Sequence, residues 1–263
     1  MSNTNSESQI KTGERNKILY KEDRNYKFLL PFRLALFGEM GAGKSSFIID
    51  LLSQFDEQSD ILKKKSEIQV YFSFSTDESV VKVEEAMKKH SFFKKLIKID
   101  GLSRSVLDIN SGGRDDIHHI LILEDLQANI RSLKKNYISQ FTTFLLDSRH
   151  KSISIIYVMH ELPLANNAIN LSFDKMYFEH CTDIILFKSL HNRKLVNVIA
   201  LRLFPDNYQE FKRILKLIES IYHKLYDSSR CHTVISSDFR KTLNDLERIR
   251  FDIFKNKLCI KDC

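Results

Sequence analysis

The stretch FRLALFGEMGAGKSSFIIDLL, residues 32–52, decides the fold. It opens on FRLALF (32–37), apolar except for Arg33, turns through a glycine-rich loop, and continues with apolar residues at helical spacing. Gly38, four residues, Gly43, Lys44 and Ser45 make the pattern G-x-x-x-x-G-K-[ST], in the strand–loop–helix setting that the pattern requires. Each part has a chemical task. Glycines let backbone N–H groups turn inward around a β-phosphate without a Cβ clash, and the N-terminus of the following helix adds its donors and its dipole. Lys44 is expected to reach the β- and γ-phosphate oxygens, and the Ser45 hydroxyl to ligate Mg²⁺. The expected ligands are therefore ATP and Mg²⁺, held by Gly38, Glu39, Met40, Gly41, Ala42, Gly43, Lys44, Ser45 and Ser46. A merely tight strand-to-helix turn would need neither Lys44 nor Ser45.

Around this stretch the chain is otherwise poor in glycine. Of seven glycines, Gly38, Gly41 and Gly43 fall in the loop, and Gly112 and Gly113 lie shortly before a second motif. The 263 residues, 43% hydrophobic and 29% charged, suit one large α/β domain or two small ones and exclude collagenous, disulfide-stapled and wholly disordered classes. Lys and Arg number 41 against 34 Asp and Glu, a net charge of +7 that permits a polyanionic partner without requiring one. Cys181, Cys231, Cys259 and Cys263 form no C-x-x-C pair, so neither a zinc site nor a disulfide framework is expected, and reduced thiols are. No run approaches the ~18 apolar residues of a membrane span. The polar start MSNTNSESQ lacks the apolar core of a secretory signal. The expectation is a soluble intracellular protein.

Residues 1–27 read as a mobile tail; Lys11, Arg15, Lys17, Lys21, Arg24 and Lys27 leave a nucleic-acid arm open beside a solvated extension. Residues 28–256 read as the ATPase domain, with a helical C-terminal part from about 206, and 257–263 as a tail. Apolar runs at 32–37, 67–74, 119–124, 152–159 and 182–187 alternate with helical stretches at 45–55, 77–89 and 127–147. Continuous apolar strands separated by helices signal a parallel sheet covered on both faces, hence a three-layer α/β domain. Beyond Pro205, NYQEFKRILKLIESIYHKLY (207–226) has helical spacing, followed by a short strand, HTVIS (232–236), and a last helix at about 239–250.

The second motif is HILILEDL (119–126). Four buried-type residues, Ile120 to Leu123, lead into Glu124 and Asp125. In P-loop enzymes the first acid holds Mg²⁺ and the next orients the attacking water, which assigns Glu124 to the metal and Asp125 to the water, with the two side chains able to trade roles. His118 and His119 read as solvated residues at the strand entry, since no further His or Cys completes a metal site. The lysine pairs and triplets at 63–65, 88–89, 94–95 and 134–135 read as solvated faces that in a ring could line a DNA channel.

The segment FTTFLLDSRHKSISIIYVMHELPL (141–164) has a helix closing on Ser148, Arg149 and His150, then a strand with His160 at its end. It resembles the genome-packaging ATPases of poxviruses, of Polinton (Maverick) elements and of related large DNA viruses, a branch of the FtsK–HerA superfamily. INLSFDKMYFEHCTDIILFKSLHNRK (169–194), VIALRLFP (198–205) and HTVIS with LERIRFDIF (246–254) continue the resemblance, which spans about 30–256. It implies a RecA-like P-loop fold and a DNA translocase that packages a viral or virus-like genome, working as a homo-oligomeric ring on double-stranded DNA without reading sequence, docked on a capsid or portal-like protein, at a viral assembly site or in the virion. It also implies catalytic roles for Lys44, Glu124, Asp125, His160 and Arg149. Arg149 is either a γ-phosphate stabiliser, in its own site or in trans, or a cation at a helix C-terminus. The family usually carries Gln where this chain has His160, and Asp where it has Glu124; a histidine can donate to phosphate, but changes charge near neutral pH. Both departures bear on hydrolysis more than on nucleotide binding. Three other readings are another P-loop DNA motor or helicase-like ATPase, a small-molecule or nucleotide kinase, for which no compact Arg-rich lid is visible, and an assembly protein that binds nucleotide without turnover. Strand order separates motor from kinase: a strand between the acid-bearing and phosphate-loop strands fits the motor superfamily, whereas adjacency fits kinases.

Overall fold

In the computed structural model of the chain, the described residues are 31–53, 67–73, 77–91, 93–99, 117–124, 135–148, 150–151, 153–160, 180–187, 206–209, 229–236, 249–255 and 258–259, with isolated positions at 107, 109, 197, 201, 212, 213 and 216. The apolar runs become strands β1 (Arg33–Phe37), β2 (Glu67–Ser73), β4 (Ile117–Leu123), β5 (Ile153–Met159) and β6 (Asp183–Phe187), joined by β3 (Phe93–Ile99), β7 (Ser229–Ser236), β8 (Ile249–Lys255) and β9 (Leu258–Cys259). Helices α1 (Lys44–Ser53), α2 (Asp77–Met87) and α3 (Lys135–Asp147) alternate with them. The sheet runs β3-β2-β4-β5-β1-β6-β7-β8-β9. From β3 to β6 every pairing is parallel, and from β6 onward every pairing is antiparallel.

Burial on both faces explains why β1, β4, β5 and β6 read as unbroken apolar runs. On one face Leu34, Leu36, Val70, Phe72, Ile120, Ile122, Ile156 and Val158 form a core with Phe47, Ile48, Leu51 and Leu52 of α1 and with Val83 and Met87 of α2. The alternate side chains, such as Ala35, Leu121, Ile155, Tyr157 and Ile184, are buried on the other face. Arg33 points to that side, donating from Nη2 to Leu146 O (2.7 Å) and from Nε to Ser148 Oγ (3.1 Å), so the end of α3 lies there. Nη1 of Arg33 also reaches His180 O at 3.4 Å. One buried guanidinium thus ties the start of β1 to the end of α3 and to the segment entering β6. Beside it, burial pushes the Cys181 thiol up, with Arg33 lowering and Asp183 raising it in turn, and burial likewise pushes the Tyr157 phenol up.

Several expectations change. The strand β3 (FKKLIKI) does not read as an apolar run, because Lys94, Lys95 and Lys98 stand exposed along it. The last helix expected at about 239–250 ends wrongly: 237–248 lie outside the described residues, but Ile249 and Arg250 begin β8, whose Ile249, Phe251 and Ile253 alternate with Arg250 and Asp252 at a strand's period of two. HTVIS lies in the longer β7. Beyond Pro205, Tyr208, Gln209, Lys212, Arg213 and Lys216 are helical, as the spacing predicts. His118 and His119 are not solvated but 3% and 6% exposed, and His118 Nε2 lies 2.9 Å from Ser154 Oγ, which in turn accepts the Phe32 N–H at 3.0 Å. The expected tail at 1–27 lies outside the described residues. No helix among the described residues is long and apolar enough to cross a membrane.

Candidate functional site

Parallel strands end together, and at their C-terminal ends the loops and helix N-termini create a crevice where α/β proteins bind ligands. Here β1 ends at Phe37, paired with Met159 of β5 on one side and Leu186 of β6 on the other. Gly38 follows and donates its N–H to Met159 O at 3.1 Å. The loop then folds tightly: the Ala42 N–H donates to Glu39 O at 3.2 Å, and Gly41 and Gly43 take φ of 77° and 102°, in the left-handed region that favours glycine. Gly38 is glycine for another reason. A Cβ there would lie 2.7 Å from Phe187 Cβ and 3.3 Å from Ala42 Cβ. The Phe47 N–H donates to Gly43 O at 3.0 Å, opening α1, whose first-turn N–H groups have no carbonyl partner within the helix itself.

Lys44 is only 6% exposed, and its ammonium sits inside the loop. Nζ donates to Gly38 O at 2.5 Å and to Glu39 O at 2.9 Å, and lies 3.2 Å from Nδ1 of His160. An ammonium can only donate, so Nδ1 is the acceptor and the ring proton resides on Nε2. His160, the residue after β5, thereby meets the phosphate-loop lysine directly.

Glu124 follows β4 at the same end of the sheet and is half-buried; Leu123 pairs with Tyr157 of β5. Ser45 is exposed and Ser46 half-buried on the first turn of α1, and Glu39 and Met40 are exposed on the loop, Met40 by 88%. The structure therefore brings the loop from Gly38 to Ser46 together with His160, and sets Glu124 at the end of β4, two strands from β1. Asp125 and Arg149 lie outside the described residues. Among the described residues no group of three or more His, Cys, Asp or Glu side chains forms a ready metal cage. Magnesium does not need one, since it is commonly held by one or two protein oxygens together with phosphates and water. The residue that motif reading missed is Phe187, whose only sequence signal is its place at the end of an apolar strand.

The strand order is decisive for the fold: β5 lies between the acid-bearing β4 and the phosphate-loop strand β1. The fold is RecA-like. No protein-family model matches the chain and no curated protein matches it in sequence. Among solved structures, the RecA-like chain is similar to the genome packaging NTPase B204 from Sulfolobus turreted icosahedral virus 2 in complex with ATP-gammaS, at 12% identity and a TM-score of 0.45, over 86% of this chain and 98% of that one. It is also similar to Thermomonospora curvata EccC (ATPases 2 and 3) in complex with a signal sequence peptide, at 12% identity and a TM-score of 0.40, over 59% of this chain and 30% of that one.

Proposed function

We propose that the chain is an ATPase that drives double-stranded DNA through a ring of identical subunits and so packages a viral or virus-like genome into a capsid. The observation that carries the nucleotide reading is the loop itself: two left-handed glycines, a helix N-terminus, and a nearly buried lysine held in place by Gly38 O and Glu39 O. The motor reading is supported by β5 standing between β4 and β1, which also weighs against a kinase, and by the resemblance of residues 141–164 to packaging ATPases.

Within this reading the N–H groups of the loop and of the first turn of α1 bind the phosphates, and Lys44 neutralises their charge. Ser45 and Glu124 supply hard oxygen donors that fit Mg²⁺, which when bound would draw charge from the β- and γ-phosphates. Asp125 orients water, Arg149 stabilises charge on the γ-phosphate, and His160 turns its Nε2–H toward the same group. DNA is gripped through its phosphates, by basic groups that carry no sequence information. The test is ATP hydrolysis by the full chain with and without double-stranded DNA. Stimulation by DNA that weakens with salt, and its loss in Lys44→Ala, is the expected result; hydrolysis indifferent to both DNA and Lys44→Ala overturns the proposal. The replacement of the family's Gln and Asp by His160 and Glu124 favours one second reading, an assembly protein that binds ATP without turning it over. Tight ATP binding with no single-turnover hydrolysis would select it.

A further inference from the structure

Phe187 touches the phosphate loop at both of its ends. At the entry, its Cβ occupies the space that a side chain on Gly38 would need, 2.7 Å from an ideal Cβ. At the exit, its ring meets that of Phe47, in the first turn of α1, edge to face with centroids 5.8 Å apart and planes at 82°. Between these two points lie the left-handed turn at Gly41 and Gly43 and the lysine that bonds back to Gly38 O. The backbone that carries Phe187 is itself fixed on both sides. Leu186 pairs with Phe37 of β1, and Phe187 pairs with His232 of β7, so the end of β6 is not a free sheet edge.

From this we infer that Phe187 is a positioning residue for the phosphate loop: it sets the separation between the loop's entry at Gly38 and its exit at the start of α1, and so the curvature of the N–H cradle between them. An ordinary core phenylalanine contributes volume wherever it sits. Phe187, 1% exposed, additionally bridges two points that must stay in register for the loop N–H groups to converge on one phosphate. Through its pairing with β7 it also joins the antiparallel part of the sheet to the loop. The inference rests on the reading of residues 38–46 as a nucleotide cradle.

The experiment compares Phe187→Leu with Phe72→Leu in the full chain. Phe72 belongs to the same core, is equally buried, and lies on β2, with β4 and β5 between it and β1, so the second variant loses the same ring away from the loop. Both should melt at lower temperature than wild type. Of these two, Phe187→Leu alone should raise the KM for Mg·ATP and the Kd for ATPγS, by about twofold to tenfold if the edge-to-face contact acts wholly on loop position, with a smaller change in kcat. Phe47→Leu removes the same ring contact from the other side and should reproduce that rise, which covers the case in which Phe187→Leu does not fold. Amide exchange at Glu39–Gly43 in nucleotide-free protein should quicken in Phe187→Leu and Phe47→Leu but not in Phe72→Leu. Wild-type KM and unchanged loop exchange in the loop-side variants, or an equal rise in Phe72→Leu, overturns the inference. Failure of wild type to bind ATPγS overturns the nucleotide reading instead, and the exchange measurement then decides alone whether Phe187 holds the loop.

Discussion

Replacing His160 by alanine removes the acceptor 3.2 Å from Lys44 Nζ while leaving the two loop carbonyls in place. The ammonium is nearly buried, so solvent cannot simply take over, and a hydrogen bond involving a charged group contributes about 1.5–3 kcal/mol. Because His160 itself is only half-buried, the lower part of that range applies, about 1.5–2 kcal/mol. At roughly 2–4 °C per kcal/mol for a chain of this size, nucleotide-free His160→Ala should melt about 3–8 °C below wild type. A phosphate oxygen would supply the missing acceptor. The deficit is then confined to the empty site, and ADP should bind the variant more tightly than wild type, by up to about tenfold for each 1.4 kcal/mol so relieved. ATPγS should gain less, since its extra phosphate group also loses the Nε2–H donor, and hydrolysis should slow. His160→Gln keeps an amide oxygen in reach and should fall between the two. The assays are thermal melting with and without nucleotide and titration of ADP and ATPγS. A nucleotide-free melting temperature within about 1 °C of wild type, or weaker ADP binding in His160→Ala, would refute the reasoning.

Other expectations follow from contacts elsewhere. Gly41→Ala meets open space and should cost only the ~1–2 kcal/mol of a left-handed alanine, whereas Gly38→Ala drives a Cβ against Phe187 and Ala42 and should weaken ATPγS binding far more, as direct titration would reveal. Arg33→Lys leaves one nitrogen to serve acceptors on three separate residues and should lose about 2–3 kcal/mol of stability in a denaturant melt, with KM for ATP unchanged because Arg33 is at the opposite end of β1. Cys181, buried and with its thiol pushed up, should resist iodoacetamide at about pH 8 in the native protein and react once it is denatured, as peptide mass spectrometry would register.

What could be read from the sequence was whatever local pattern determines. The loop motif is contiguous, and its strand and helix follow from the residues on either side. Strands buried on both faces announce themselves as apolar runs, which is why β1, β2, β4, β5 and β6 were legible. Conversely, β3 is the outermost described strand on its side; Phe93 and Leu96 pack against the core while three lysines are exposed, so neither an apolar run nor a clean alternation emerges. Polar residues misled in the opposite direction. His118 and His119 look like surface groups until the sheet is assembled and Ser154, 36 residues away, arrives beside His118. The dependence of Gly38 on Phe187 was invisible for the same reason: the two are 149 positions apart and meet only because β6 lies beside β1. The order of strands, which decides among P-loop folds, is likewise a property of long-range pairing that no single segment carries.

The lysines of β3 also govern how copies of this chain can meet. A sheet edge is a template for another strand, and β3 is the outermost described strand on its side. Two molecules joining there would bring two lysine-rich strands together, and like charges set opposite one another across strands repel. Lys94 is held by Glu67, which tempers its own share of that repulsion. Continuous-sheet association between copies is thereby opposed at this edge. The block is electrostatic, and at about 1 M salt, where screening falls to roughly 3 Å, it should fade, making concentrated salt the condition under which the chain first precipitates.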